Sequence, residues 1–416
     1  MPKEASDVLE LLVIADDLTG ALDASVQLSL KGYRVAVTQD CTVPAQLAQD
    51  YDVLTIDTET RHVSSRDAYT CVYNVAKRAQ EHSVAHFYKK CDSGLRGNVG
   101  SELTALLDAT GAAKLNFVPA YPALGRVTRD GVQYVDEKPL AESVFAYDPL
   151  NAVTASKVAD IIAQESQMAT YDSHAADRHG IMIYDCADTE ELRSIGSSLE
   201  KNDGFRVAAG CAGLLGTYPA PQMKHESVSV PQLNPNLAVV SGSVNSVTVS
   251  QLDYAQQQGF PRLHVPLDQI MQVNWNDTQI NCFTDRCIEA VNNTHSVLVD
   301  SLGDRPDQVT TVENSSTAIT DAMGQLAAIL EARRSATLMV VGGDTLASFF
   351  SHSKIRVLEP MREIVEGVVL TRFRGQDGWQ YVITKSGAFS GRDVFCKILS
   401  LLQTQREGMH DGIRSI

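Results

Sequence analysis

The chain has 416 residues, 44% of them hydrophobic and 21% charged, which excludes a disordered, collagenous or disulfide-stapled protein and predicts more than one domain. Its 35 basic and 51 acidic residues leave a formal net charge of -16, so it lacks the basic footprint of a nucleic-acid binder, and an anionic ligand would have to be drawn by a few local cations or helix N-termini. The eight cysteines form no CxxC pair and have no neighbouring histidine cluster, so free thiols in a reducing cytoplasm are expected rather than a zinc site.

The first apolar stretch, residues 8–15, runs straight into Asp16 and Asp17 without a basic leader, and no run approaches the ~20 residues of a membrane helix. From there strand-like and helical patterns alternate. Strands are predicted at 11–15, 34–38, 53–57, 86–90 and 114–119, and helices at 19–30, 67–81 and 102–109. Residues 121–148 break the rhythm with prolines and glycines and read as an irregular insertion or lid. The alternation resumes with helices at 153–164 and 189–199 and strands at 180–184 and 205–209. Four prolines within 218–236 suit a domain boundary. Beyond it come strands at 237–241, 296–300, 337–341, 365–372 and 379–384, and helices at 244–258, 317–334, 345–350 and 392–402. The expected fold is α/β, with two lobes, 1–220 and 221–416, each a mainly parallel sheet flanked by helices, and an active site in the interlobe cleft.

Ligands of parallel sheets collect beyond the carboxyl ends of the strands. Five such segments stand out. Asp16 and Asp17 precede Leu18-Thr19-Gly20; a helix cap accounts for one carboxylate and leaves the other for a ligand hydroxyl or Mg2+. Residues 89–98 pack Lys89, Lys90, Asp92, Ser93 and Arg96 into a glycine-containing turn, able to grip an anion or sit as a solvated loop. Ser241-Gly242-Ser243, Gly342-Gly343-Asp344-Thr345 and Lys385-Ser386-Gly387 each follow a strand, as phosphate cradles or ordinary turns. GxxxxGK[ST], GxGxxG and GxSxG are all absent, against a Walker NTPase, a dinucleotide dehydrogenase and an esterase. Carboxylates and cations in one half and anion cradles in the other fit a transferase with an acceptor lobe and a nucleotide lobe.

In this order the segments resemble the four-carbon acid sugar kinases over nearly the whole chain. The carrying motifs are IADDLTGALD at 14–23, KKCDSGLRGN at 89–98, PAYPALGRVTRDG at 119–131, SGSVNSVTVSQ at 241–251, GGDTLASF at 342–349 and TKSGAFSGRDVF at 384–395. The family pattern carries Thr where Gly94 stands, a second Gly where Ala388 stands and Ser where Cys211 stands; none of these departures removes a charge. The resemblance implies ATP- and Mg2+-dependent phosphorylation of the terminal hydroxyl of a small sugar acid, D-threonate or D-erythronate, with 3-oxo-tetronate as the rival acceptor and a non-catalytic sugar-acid sensor as the rival class. It implies that Asp16, Asp17, Arg61, Lys89, Lys90, Asp92, Ser93 and Arg96 hold the acceptor, with Arg96 and a lysine on its carboxylate. Ser241, Ser243, Gly342, Gly343, Asp344, Thr345, Lys385 and Gly387 then hold the nucleotide. Asp17, Asp92 and Asp344 are the candidate catalytic carboxylates, and Arg126 is a further candidate reaching in from the insertion. The metal ligands stay unassigned, no membrane or nucleic-acid partner is expected, and a homodimer is the default assembly.

Overall fold

A computed structural model describes residues 9–148, 151–173, 178–221, 225, 230–271, 275–303, 313–387 and 389–406. The chain divides into two units, Met1–Glu226 and Ser227–Ile416. In the first, the elements in order are β1 (Leu11–Ala15), α1 (Leu18–Ser29), β2 (Val35–Thr38), α2 (Ala45–Asp50), β3 (Val53–Asp57), α3 (Ser65–Gln80), β4 (His86–Lys90), α4 (Val99–Thr110) and β5 (Lys114–Val118). Then come β6 (Arg126–Arg129), β7 (Val132–Val135), β8 (Lys138–Pro139), α5 (Val158–Ala163), β9 (Thr170–Asp172), β10 (Gly180–Ile183), α6 (Thr189–Lys201), β11 (Val207–Gly210) and α7 (Ala212–Leu215).

Eight strands form one parallel sheet in the order β2-β3-β1-β4-β11-β5-β10-β9. β1 reads LLVIA and is buried along its length, as a central strand covered on both faces must be. β11 enters between β4 and β5, although both lie far earlier in the chain. The 121–148 segment is a small antiparallel sheet, β6-β7-β8, flanked by short 3-10 turns rather than an irregular loop.

The second unit contains β12 (Leu237–Ser241), α8 (Ser246–Gln257), β13 (Arg262–His264), α9 (Leu267–Met271), α10 (Asp277–Thr294), β14 (Ser296–Asp300), α11 (Glu313–Arg333), β15 (Thr337–Val341) and α12 (Gly343–His352). It ends with β16 (Glu359–Val365), β17 (Val368–Gly375), β18 (Gly378–Lys385) and α13 (Val394–Arg406). Its sheet runs β13-β14-β12-β15-β18-β17-β16, with the first five strands parallel and the last two joined antiparallel.

Both sheets begin with the same winding. The chain starts in the middle, moves two places to one side, fills the gap, and then crosses to the other flank, giving β2-β3-β1-β4 and β13-β14-β12-β15. Each sheet therefore reverses direction beside its first strand, at β1/β4 and at β12/β15. Such a reversal opens a crevice at the carboxyl ends, where open α/β sheets bind ligands. Among the described residues, no helix is long and apolar enough to cross a membrane.

Candidate active site

In the first unit Ala15 pairs in register with Asp57 on one side and Lys90 on the other, and Lys90 pairs with Gly210. The turns leaving β1 and β4 thus start side by side at the reversal point. Asp17 is the N-cap of α1: its Oδ1 accepts from the Gly20 N–H at 3.1 Å and its Oδ2 from the Thr19 hydroxyl at 2.6 Å. Arg61 lies between the two aspartates, donating from Nε to Asp16 at 2.8 Å and from Nη2 to Asp17 at 2.6 Å, with Asp92 3.8 Å away. Asp92 is gripped by Arg96 through two bonds of 2.8 and 3.0 Å and also accepts from the Gly94 N–H at 3.1 Å. The outer nitrogen of Arg96 donates to Asp148 at 2.8 Å, and its plane lies 5.1 Å from the Phe145 ring centroid.

These contacts separate the three acids nearest the turn. Burial pushes the Asp92 carboxyl up, but Arg96 and Arg61 outweigh it and hold it well below the usual range, so Asp92 is a fixed anion and a poor proton acceptor. Burial likewise raises Asp16, while Arg61, Lys89 and Lys90 together bring it below its ordinary value. Asp16 Oδ1 is buried and has no hydrogen-bond partner. A buried carboxylate oxygen without a donor is costly, and a ligand hydroxyl would remove that cost. Asp17 keeps a side-chain exposure of 17%, the most open of the three.

The two lysines part ways because neighbouring strand residues face opposite sides of a sheet. Lys89 Nζ turns to Glu102 of α4 at 2.9 Å, and Glu102 also accepts from Thr60. Both residues are buried, so Lys89 is spent inside the domain and is not brought to the open side of the turn. Lys90, also buried, bonds only the Cys91 carbonyl at 2.8 Å and forms no direct ion pair among the described residues. Its ammonium stands beside Gly20, where an added Cβ would come within 2.9 Å of it. Despite burial it is held charged by Asp16 and Asp17. Arg96 is committed on three nitrogens, to Asp92 and Asp148, whereas no carboxylate among the described residues bonds the Lys90 ammonium directly. Ser93 is buried in the same turn. Arg126 lies 5.9 Å from the centroid of the same Phe145 ring.

Sequence reasoning missed four contributors here: Glu102, Phe145, Asp148 and Asp57. Asp57 ends β3 and is buried; burial, resisted by the Glu59 N–H and Gln39, raises its carboxyl well above the usual range and favours the neutral acid. Its place after an apolar strand was the one available signal.

In the second unit the three glycine-bearing turns converge. A Cβ on Gly242 would collide with the Thr345 hydroxyl, and one on Gly387 would come within 2.7 Å of Ser243 Oγ. Gly342 has φ +104, a conformation that favours glycine, and its N–H donates to the Lys385 carbonyl at 3.0 Å. Gly342 caps α12 without any side-chain hydrogen bond, so the first N–H groups of that helix await an acceptor. The Thr248 hydroxyl and the Gln251 amide of α8 hold the 387–391 main chain. Ser241 Oγ is buried and finds no partner. Lys385 is 1% exposed, donates only to the Ser386 carbonyl at 2.8 Å, and is pushed down to about 7 by burial alone. Asp344 is exposed in the first turn of α12. Ala388 lies outside the described residues. Main-chain N–H groups, an unsatisfied hydroxyl and a buried ammonium without a counter-charge make a cradle suited to polyanionic phosphate.

A family model described as a sugar-binding N-terminal domain matches residues 11–218, and one described as a nucleotide-binding C-terminal domain matches residues 238–395. A D-threonate kinase of Salmonella typhimurium is 32% identical over 269 residues, 60% of this chain and 62% of that one, so the match spans about six tenths of that relative. A D-threonate kinase of Bordetella bronchiseptica is 26% identical over 415 residues, covering 95% of this chain and 98% of that one. A 3-oxo-tetronate kinase of Pseudomonas fluorescens is 24% identical over 424 residues, 94% and 96% of the two chains. Among solved structures, a Salmonella typhimurium protein described as a putative tRNA synthase shares the fold with a TM-score of 0.74 at 21% identity, covering 96% of this chain and 99% of that one. A Haemophilus influenzae protein does so with a TM-score of 0.67 at 21% identity and the same coverage. With both family models matched in order across the two units, the chain belongs to the four-carbon acid sugar kinase family.

Proposed function

We propose that this protein transfers the γ-phosphoryl group of ATP to the terminal hydroxyl of a four-carbon sugar acid, with D-threonate or D-erythronate as the acceptor. The observation that carries the acceptor side is the unpartnered Asp16 Oδ1 beside the charged, unpaired Lys90. A polyhydroxy acid supplies a hydroxyl donor for the first and a carboxylate for the second. Lys90 holds the carboxylate and Asp16 accepts from a chain hydroxyl. Arg61 and Arg96 keep the carboxylates of Asp17 and Asp92 in place. Asp17, the most exposed of the three carboxylates, accepts the proton of the attacking hydroxyl; Asp92, fixed as an anion, orients.

On the nucleotide side, the α12 N-terminus, Ser243, Thr345 and Gly387 receive the phosphates and Lys385 neutralises part of their charge. Asp344 is the one carboxylate on the three turns and has the hard oxygen donor that Mg2+ prefers, so it would hold that ion together with phosphate oxygens. The ion supplies neutralisation of the charge on the β- and γ-phosphoryl oxygens when bound.

An ADP-release assay with D-threonate, D-erythronate and 3-oxo-tetronate tests the reading. Turnover of one of the two aldonates well above the others supports it. Preference for 3-oxo-tetronate would move the acceptor to the keto acid, and ATP binding without ADP release on any acceptor would refute the kinase reading.

A further inference from the structure

The last residues of five strands in the second unit form one row. His264 pairs in register with Asp300, Asp300 with Ser241, Ser241 with Val341, and Val341 with Lys385. Register partners of parallel strands point to the same side, and strands lie ~4.8 Å apart. The phosphate cradle occupies the Ser241–Lys385 end of this row. His264 stands at the other end, two strands or ~10 Å beyond Ser241, too far for the same phosphates.

Its surroundings are built rather than incidental. Asp300 is 0% exposed and fully engaged: Oδ1 receives His264 Nδ1 at 2.7 Å and the Leu302 N–H at 2.8 Å, and Oδ2 receives Arg262 Nε at 2.5 Å. Arg262 is anchored in turn by Asp253 at 2.6 Å. The carboxylate therefore fixes the imidazole with Nδ1–H inward, which leaves Nε2 as an acceptor on a side chain that is 41% exposed. Between the two ends lies Ser241 Oγ, buried and without a partner. In nucleotide-binding sheets the strand beside the phosphate-binding strand commonly carries the acid that reads ribose hydroxyls at its carboxyl end. Asp300 has that position, but its oxygens are occupied, and the group it presents outward is an imidazole.

We propose that His264, oriented by Asp300, accepts a hydrogen bond from a ribose hydroxyl of the bound nucleotide, so that the domain recognises a nucleoside and not a polyphosphate alone. This rests on the nucleotide reading of the domain given above. His264 is the binding group and Asp300 the positioning one.

The test is calorimetric titration of the full-length protein with ATP, 2′-deoxy-ATP, 3′-deoxy-ATP and inorganic tripolyphosphate. His264→Ala is expected to weaken ATP about tenfold and to leave tripolyphosphate unchanged. His264→Gln, which keeps a side-chain acceptor, should recover part of the loss, and one of the two deoxynucleotides should bind the unaltered protein as weakly as ATP binds His264→Ala. Equal ATP affinity in the unaltered protein and His264→Ala overturns the proposal, as does an equal loss for ATP and tripolyphosphate. If the unaltered protein binds ATP while His264→Ala makes no difference, only this inference fails. If it binds neither ATP nor tripolyphosphate, the nucleotide reading fails and takes the inference with it.

Discussion

Replacing Lys385 with methionine removes a buried ammonium that has a carbonyl for a partner and no opposing charge. Its sheet neighbours in register are Val341 and Val368, and burial is the whole cause of its fall from 10.5 to about 7. At ~1.4 kcal/mol per unit, that depression is ~5 kcal/mol of unfavourable burial at pH 7. The unfolded chain takes up the proton more readily than the folded one between pH 7 and 10.5. Stability therefore rises with pH across that window, and the methionine variant should be the more stable protein at pH 7, by at most ~5 kcal/mol. ATP reverses the balance, because its phosphates supply the missing counter-charge. At pH 8 only about a tenth of the free protein carries the proton, so each nucleotide bound should draw in ~0.9 proton. Affinity should fall roughly fifty-fold from pH 7 to pH 9. Calorimetry in buffers of different ionisation enthalpy measures the uptake directly. Tight binding with no uptake, or the same uptake in Lys385→Met, would refute the reasoning.

Asp17→Asn keeps a side chain able to cap α1 but loses its charge against Arg61, so the protein should still unfold cooperatively in urea while turnover drops at least a hundredfold; near-normal turnover removes Asp17 from the chemistry. Arg61→Ala leaves the buried Asp16 and the partly exposed Asp17 without their shared cation and should cost ~3–5 kcal/mol, read from the urea midpoint. Gly94→Ala drives a methyl to within 2.7 Å of the Phe145 ring and should destabilise by ~1–3 kcal/mol, and a double-mutant cycle with Phe145→Ala should show that the two costs do not add.

Most of the parallel strands were legible because short apolar runs bounded by turns have few other uses; the three-residue edge strands β9 and β13 were not anticipated, being too short and too polar to show such a run. α10 was not anticipated, although its apolar residues Ile280, Phe283, Cys287 and Val291 keep helical spacing and Asn276 with Gln279 forms a capping box. Its many polar residues hid the stripe. The strand expected at 365–372 crosses a real turn at Gly367, where φ is +70, because two antiparallel strands of similar composition meet there. In the site, the Asp92–Arg96 pair follows from four-residue spacing, whereas Arg61 meets Asp16 from 45 positions away, which no local pattern encodes. The division of labour between Lys89 and Lys90 was encoded in strand alternation and went unread. Phe145 and Asp148 enter from a segment whose pairing is set by tertiary contacts, and only the folded chain shows them against Arg96.

β11 has a consequence for how the first domain is made. It fills the place between β4 and β5, and the Cys91 N–H, at the base of the 91–98 turn, donates to the Gly210 carbonyl at 2.9 Å. Until residue 210 leaves the ribosome, the nascent sheet is two separate halves with two raw edges. About ninety residues separate β5 from β11, which at ~5–20 residues per second is a delay of roughly 5–20 s. The join between the two halves, beside the turn that carries Asp92 and Arg96, is thus among the last parts of the domain to take shape, and the unpaired edges of β4 and β5 stay open to strand-shielding chaperones in that interval.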